Sequence, residues 1–146
     1  MATPGDTDVG TGATITFGTT GTNYVPQVND IRHTGIARPA VDITHLATVG
    51  GRSYMPGDLY DPGELQIDVN WGDESGLDVP FPWTGSGGAA ETITVTGPVA
   101  GTTSGQTMAA SGFITGVEYG YPLEEKIVAT LTFKLSDDIT WVDGVA

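Results

Sequence analysis

From Glu64 to Trp71 the chain alternates without a break: Leu65, Ile67, Val69 and Trp71 point one way, and Glu64, Gln66, Asp68 and Asn70 the other. A period of two is the pattern of a strand with one face buried. It recurs from Lys126 to Leu135, where Ile127, Ala129, Leu131, Phe133 and Leu135 oppose Lys126, Val128, Thr130, Thr132 and Lys134. Glu91 to Thr96 alternates in the same way, with Ile93 and Val95 inward. Gly112 to Tyr119 predicts a strand with Phe113, Val117 and Tyr119 on one face, and the turn Gly120–Leu123 makes it an antiparallel hairpin with the strand that follows. Shorter strands are expected at Thr14–Phe17, with Ile15 and Phe17 inward, near residues 39–44, and through Tyr24, Val25, Val28 and Ile31, where Pro26 marks an edge or a bulge. The expected core is Leu65, Ile67, Val69, Phe113, Val117, Ile127, Leu131 and Phe133. Six or seven such strands make an all-β sandwich or a small barrel.

The connections sharpen this picture. Met55-Pro56-Gly57-Asp58 and Asp61-Pro62-Gly63-Glu64 both place proline where a fixed φ starts a turn and glycine where a positive φ is cheap. Between Arg32 and Arg52 the apolar residues Ile36, Val41, Ile43, Leu46 and Val49 are scattered, and an exposed loop runs from there into the first Pro-Gly turn. A long, weakly patterned loop in a compact domain is functional or is ordered by a partner. Residues 72–83 could hold at most one short helical turn before Pro80 ends it. With 146 residues, 22 glycines and 9 prolines, the chain reads as a flexible N-terminal arm (1–13), one β domain (14–141) and a short C-terminal tail (142–146).

Charge excludes one class of function. Eighteen acidic residues face five basic ones, a formal net charge of −13, and such a chain does not hold nucleic acid by neutralising phosphates. The same charge opposes self-association, so any oligomer must offset it with apolar contacts. There is no cysteine, hence no disulfide or thiolate site. No apolar run is long enough for a membrane span and no signal peptide is visible, so a soluble protein made in a cytoplasm is expected.

Candidate chemistry is thin. Asp30 and His33, then Asp42 and His45, repeat a D-x-x-H spacing, but without HExxH geometry they read as local hydrogen-bonding groups. Asp58, Asp61, Glu64 and Asp68 lack calcium-loop spacing, and Asp58 and Asp61 are turn residues. Ser104 and Ser111 lack a nucleophile elbow, and the glycines at 85–88 have no lysine or helix after them to cradle phosphate. Neither an enzyme nor a cofactor or metal site is expected; a structural or binding role remains.

The run MPGDLYDPGEL from Met55 to Leu65 resembles the major tail (tail tube) proteins of long-tailed bacteriophages. It is preceded by Asp42-Ile43-Thr44-His45-Leu46 and followed by Ala89–Val95, Ser111–Thr115 and Pro122–Leu131 in the same order, so that the resemblance spans about residues 14–141. It implies a tail tube fold with a long inter-ring loop, hexameric rings stacked into a tube, and a genome that passes through the lumen without being bound. The partners it implies are further copies of the chain and the tape measure, tail terminator and tail tip proteins, all within a virion assembled in the host cytoplasm. Leu46, Val49, Arg52, Tyr54 and Met55 would then make the contacts between rings, and Glu64, Gln66, Asp68 and Asn70 would face the lumen. Two rivals remain: another virion β domain, such as a head-decoration or tail-terminator protein, and a carbohydrate-binding module with Tyr60, Trp71, Trp83 and Tyr121 as stacking platforms.

Overall fold

The computed structural model describes residues 12–18, 27–72, 90–98 and 105–144. The expectations for residues 1–11, for Tyr24 to Pro26 and for a helical turn after Gly72 lie outside the described residues. Within them there is no helix. Strands β1 (Thr14–Phe17), β2 (Gln27–Thr34), β3 (Ala40–Asp42), β4 (Tyr54–Pro56), β5 (Glu64–Asn70), β6 (Glu91–Thr96), β7 (Thr107–Tyr119) and β8 (Val128–Val142) follow in chain order. Six of them form one antiparallel sheet in the order β1-β6-β7-β8-β5-β2, while β3 and β4 pair as a separate ribbon.

The sheet is curled into a half-barrel. Two strands separate β1 from β8, so a flat sheet would hold them roughly 14 Å apart at the usual inter-strand spacing. Instead the rings of Phe17 and Phe133 approach to 5.6 Å between centroids. The hollow of the curl is the core. Leu65, Ile67 and Val69 of β5, Ala129, Leu131, Phe133 and Leu135 of β8, and Ile93 of β6 are buried there with Ile15, Phe17, Met108 and Ala110. Val117 packs against this cluster from the side. Ile127 lies half-buried just before β8, where its carbonyl accepts the Trp71 N–H at 2.9 Å.

Phe113 departs from expectation. Its alternation with Val117 predicts a core position, yet its side chain is 43% exposed. The strand begins earlier than its pattern suggests, at Thr107, and Met108, Ala110 and Gly112 set the inward parity. Phe113 therefore points out. Between Ile114 and Gly116 the register to β8 shifts by one residue, a bulge that restores Val117 to the inside. Gly112 itself is needed for packing, because a Cβ there would lie 2.9 Å from Ile93 Cδ1 and 3.1 Å from Leu135 Cδ2.

The second Pro-Gly turn closes onto the sheet at Gly63, whose φ is +87°. A Cβ at this position would run into the backbone of Thr34 and Gly35 at the end of β2. The left-handed conformation alone costs a non-glycine residue roughly 1–2 kcal/mol, and the clash adds to it. Gly63→Ala is expected to lower stability by at least about 2 kcal/mol, read as a drop in the urea unfolding midpoint; a change within the scatter of surface substitutions would contradict the geometry.

Candidate assembly site

Residues 35–63 leave the sheet as an arm and return to it. Its root is a two-stranded neck: Ala37 and Asp61 exchange backbone hydrogen bonds of 3.1 and 2.7 Å, and the Gly57 N–H donates to the Pro39 carbonyl at 2.7 Å. Beyond the neck, β3 and β4 pair Ala40 with Pro56, Val41 with Met55 and Asp42 with Tyr54. Met55-Pro56, expected as a turn, is thus the last part of a strand, and the missing proline N–H is tolerated because the ribbon has open edges.

The arm is braced at its root and bare at its tip. Tyr60 Oη donates to Asp138 Oδ1 at 2.6 Å and accepts the Ile139 N–H at 2.9 Å. The Arg38 guanidinium lies 5.5 Å from the Tyr60 ring centroid and donates to the Gly57 carbonyl at 2.8 Å. The Asp138 hydrogen bond pushes the Tyr60 hydroxyl pKa upward. Asp138 and Ile139 lie where β8 carries extra residues against β7, since Ser111 pairs with Ser136 but Ala109 with Thr140. At the tip, order comes from polar bonds. The Thr44 N–H donates to Asp42 Oδ1 at 2.9 Å, the Ser53 N–H to Thr44 Oγ1 at 2.9 Å, and the Ile43 N–H to the Ser53 carbonyl at 3.0 Å. Arg52 meets Asp42 at 3.3 Å. Leu46 and Val49, 109% and 95% exposed, touch no core, and Tyr54 and Met55 are exposed beside them. An isolated two-stranded ribbon is marginal in water, and here it holds its apolar side chains open to solvent at the tip.

The outer face of the curled sheet is the second feature. Glu64, Gln66, Asp68 and Asn70 lie on the face opposite the core, beside Thr130 and Thr132 of β8. Thr14, Thr16, Thr92, Thr94 and Thr96 extend it across β1 and β6. Within this face Asp30, Glu64, Asp68 and Glu118 stand against Arg32 and Lys134. Asp30 and Asp68 are directly opposed across β2 and β5, a repulsive pairing that Arg32 relieves by binding both; it reaches Asp68 Oδ2 at 3.0 Å. Thr130 Oγ1 adds a 2.8 Å bond to Asp68. The Arg32 bond, then the Thr130 bond, hold the Asp68 carboxyl below its usual pKa. Asp61 is likewise held low, by Lys134 Nζ at 2.6 Å and by the Gly63 N–H at 2.8 Å, which makes it the turn residue that its position suggested.

A depressed carboxylate contributes stability that is complete above its unfolded pKa of about 3.9 and is lost as pH falls through the lower folded value. Asp68→Asn is therefore expected to be less stable than the parent protein at neutral pH. The difference should shrink on acidification through and below the ordinary carboxylate range. Urea midpoints along a pH series would check this, and a gap independent of pH would refute it.

The two histidines are not brought together. His33 sits on the inner face of β2, with Nε2 2.7 Å from the Pro62 carbonyl and its ring stacked on Trp141 at 6.0 Å. His45 is at the arm tip, where Nδ1 accepts the Ala47 N–H at 3.2 Å. Of the aromatic platforms considered for sugar binding, Tyr60 braces the arm, and Trp71 and Tyr121 flank Tyr119 at the far end of the sheet; Trp83 lies outside the described residues. Sequence reasoning missed Arg38, Asp138 and the role of Tyr60, because a contact across 78 positions leaves no local signature.

No protein-family model matches this sequence, and no curated protein sequence does. Solved structures of similar fold do exist. One is a chain from the sheath/tube terminator of an extracellular contractile injection system, PVC, in the extended state, with a TM-score of 0.72 at 14% identity over 94% of this chain and 98% of that one. A second belongs to the sheath–tube complex of the same system, with a TM-score of 0.68 at 14% identity over 90% and 88%. A third belongs to the virion of a native gene transfer agent particle, with a TM-score of 0.68 at 13% identity over 93% and 99%. At such identity the likeness is one of fold: the chain has the β architecture found in these structures. They include contractile systems, whereas the sequence resemblance was to the tubes of long-tailed phages.

Proposed function

We propose that this chain is a structural subunit of the tube of a phage-like tail. Copies close into hexameric rings, and the rings stack around a channel through which the genome passes. The observation that carries this reading is the pairing of a rigidly rooted, apolar-tipped arm with a curled sheet whose outer face is hydroxyl-rich and net acidic. The arm bridges rings through Leu46, Val49, Arg52, Tyr54 and Met55. The outer face, with Glu64, Gln66, Asp68 and Asn70, lines the lumen, where carboxylates repel phosphate and neutral threonine hydroxyls add no charge to hold it, so that DNA slides. Ring closure joins the terminal strands β1 and β2 of neighbouring copies and removes exposed sheet edges. The subunit then acts in the virion tail, beside tape measure, terminator and tip proteins.

A second reading, a tail-terminator subunit that forms one capping ring, is favoured by the likeness to a chain from a sheath/tube terminator complex. Negative-stain electron microscopy of the purified protein separates the two. Long hollow tubes support the tube reading, single rings support the terminator, and a protein that stays monomeric at high concentration sinks both.

A further inference from the structure

The arm leaves one end of the sheet, where Thr34, Glu64 and Lys134 are neighbours. β5 is 7 residues long, which places the other end roughly 23 Å away at about 3.3 Å per residue. At that far pole Trp71 stacks on Tyr119 with centroids 5.1 Å apart, and Tyr121 meets Tyr119 edge-on at 5.7 Å. The β7–β8 turn continues the patch: Tyr121 and Leu123 are 73% and 89% exposed, and Glu124 and Glu125 are exposed next to them.

The two poles differ in charge. In a chain with eighteen acidic residues, the segment 43–57 has none and carries Arg52. The far pole presents Glu118, Glu124 and Glu125, with Lys126 alone opposing them. Arm against arm, or pole against pole, would set like charges together; arm against pole sets Arg52 near carboxylates and apolar tip against aromatic rings. Arg52's own partner, Asp42, lies at 3.3 Å with the Arg52 side chain mostly in solvent and that of Asp42 partly so, a bond too weak to hold Arg52 back. The tip is already ordered, so little conformational entropy is lost on docking.

We infer that the arm tip of one copy docks on the far pole of a second copy, with Leu46 and Val49 on Tyr121 and Leu123 and with Arg52 beside Glu124 and Glu125. The contact joins unlike surfaces, so it repeats head to tail and propagates a stack. It rests on the tube reading and adds which surface of the next ring receives the arm.

The chain has no cysteine, which makes the test direct. Val49→Cys and Leu123→Cys proteins, purified separately, are mixed under assembly conditions and treated with a short bismaleimide. The expected product is a covalent dimer whose cross-linked peptides carry positions 49 and 123. Val49→Cys mixed with Phe113→Cys, a position on the outer face, should give little of the corresponding dimer. A charge exchange checks the polar half: Arg52→Glu alone and the pair Glu124→Arg and Glu125→Arg alone should each lose assembly, and mixing the two proteins should restore it. Tubes that form normally with no link between 49 and 123 overturn the docking assignment and leave the tube reading standing. Failure of the unmodified protein to assemble overturns both.

Discussion

Replacing residues 43–53 with an Asn-Gly turn should abolish tube formation while leaving the sheet folded. Asp42 and Tyr54 are paired in the antiparallel ribbon, and a two-residue turn of this kind closes such a pair with the right twist. The removed side chains contribute nothing to the buried cluster, so the unfolding free energy should change by no more than about 0.5 kcal/mol, the range for exposed sites. Assembly is another matter. The excised segment holds the apolar tip, and with a charge of −13 per chain stacking fails without apolar contact to offset repulsion. Electron microscopy should find no tubes, with circular dichroism unchanged. Ordinary tubes after the replacement would remove the arm from the assembly account; an unfolded product would mean that the tip supports the sheet. Because the neck and its Tyr60 brace are kept, the shortened arm should still leave the sheet in the same direction. A single Leu46→Asp substitution, which keeps the hairpin, should weaken assembly in the same sense.

How much of this was legible in the chain depends on whether a feature is local. β5 and β8 were readable because each buries one face, and the period of two survives in Leu65, Ile67, Val69 and in Ala129, Leu131, Phe133, Leu135. The pairing of β7 with β8 followed from the short turn between them, but the insertion of β8 between β7 and β5 had no local sign. β4 was hidden because Met55-Pro56-Gly57 has turn composition, and only its partner Ala40–Asp42 makes it a strand. The first half of β7 was hidden for the opposite reason: Ala109, Ala110, Ser111 and Gly112 are too small and too alike to reveal a parity. The arm was visible as a stretch that matched no pattern, and the resemblance to tail tube proteins gave it a purpose. Its brace was not visible, since Tyr60 meets Asp138 and Ile139 only once β8 has paired with β5. The far pole was read as a turn; its aromatic stack joins Trp71 to Tyr119 across strands.

The missed parity of β7 makes the sharpest stability test, a comparison of two phenylalanines. Phe133 is fully buried; it lies between Leu65 of β5 and Ile114 of β7 in the sheet register, with its ring against Phe17 from the far side of the curl. Phe133→Ala removes the side chain that bridges the two walls of the half-barrel and leaves a cavity that the rigid strands around it cannot fill. A loss of about 3–5 kcal/mol is expected, a large share of the roughly 5–15 kcal/mol that holds a domain folded. Phe113 sits one strand away on the outer face, and Phe113→Ala should cost under about 1 kcal/mol. Urea titrations of both variants, with the slope of the transition unchanged, measure the difference. Comparable losses would place Phe113 inside the curl, cancel the bulge between Ile114 and Gly116, and turn Thr115 inward beside Val117. The outer face would then lose the continuity of threonine and carboxylate on which the lumen assignment stands.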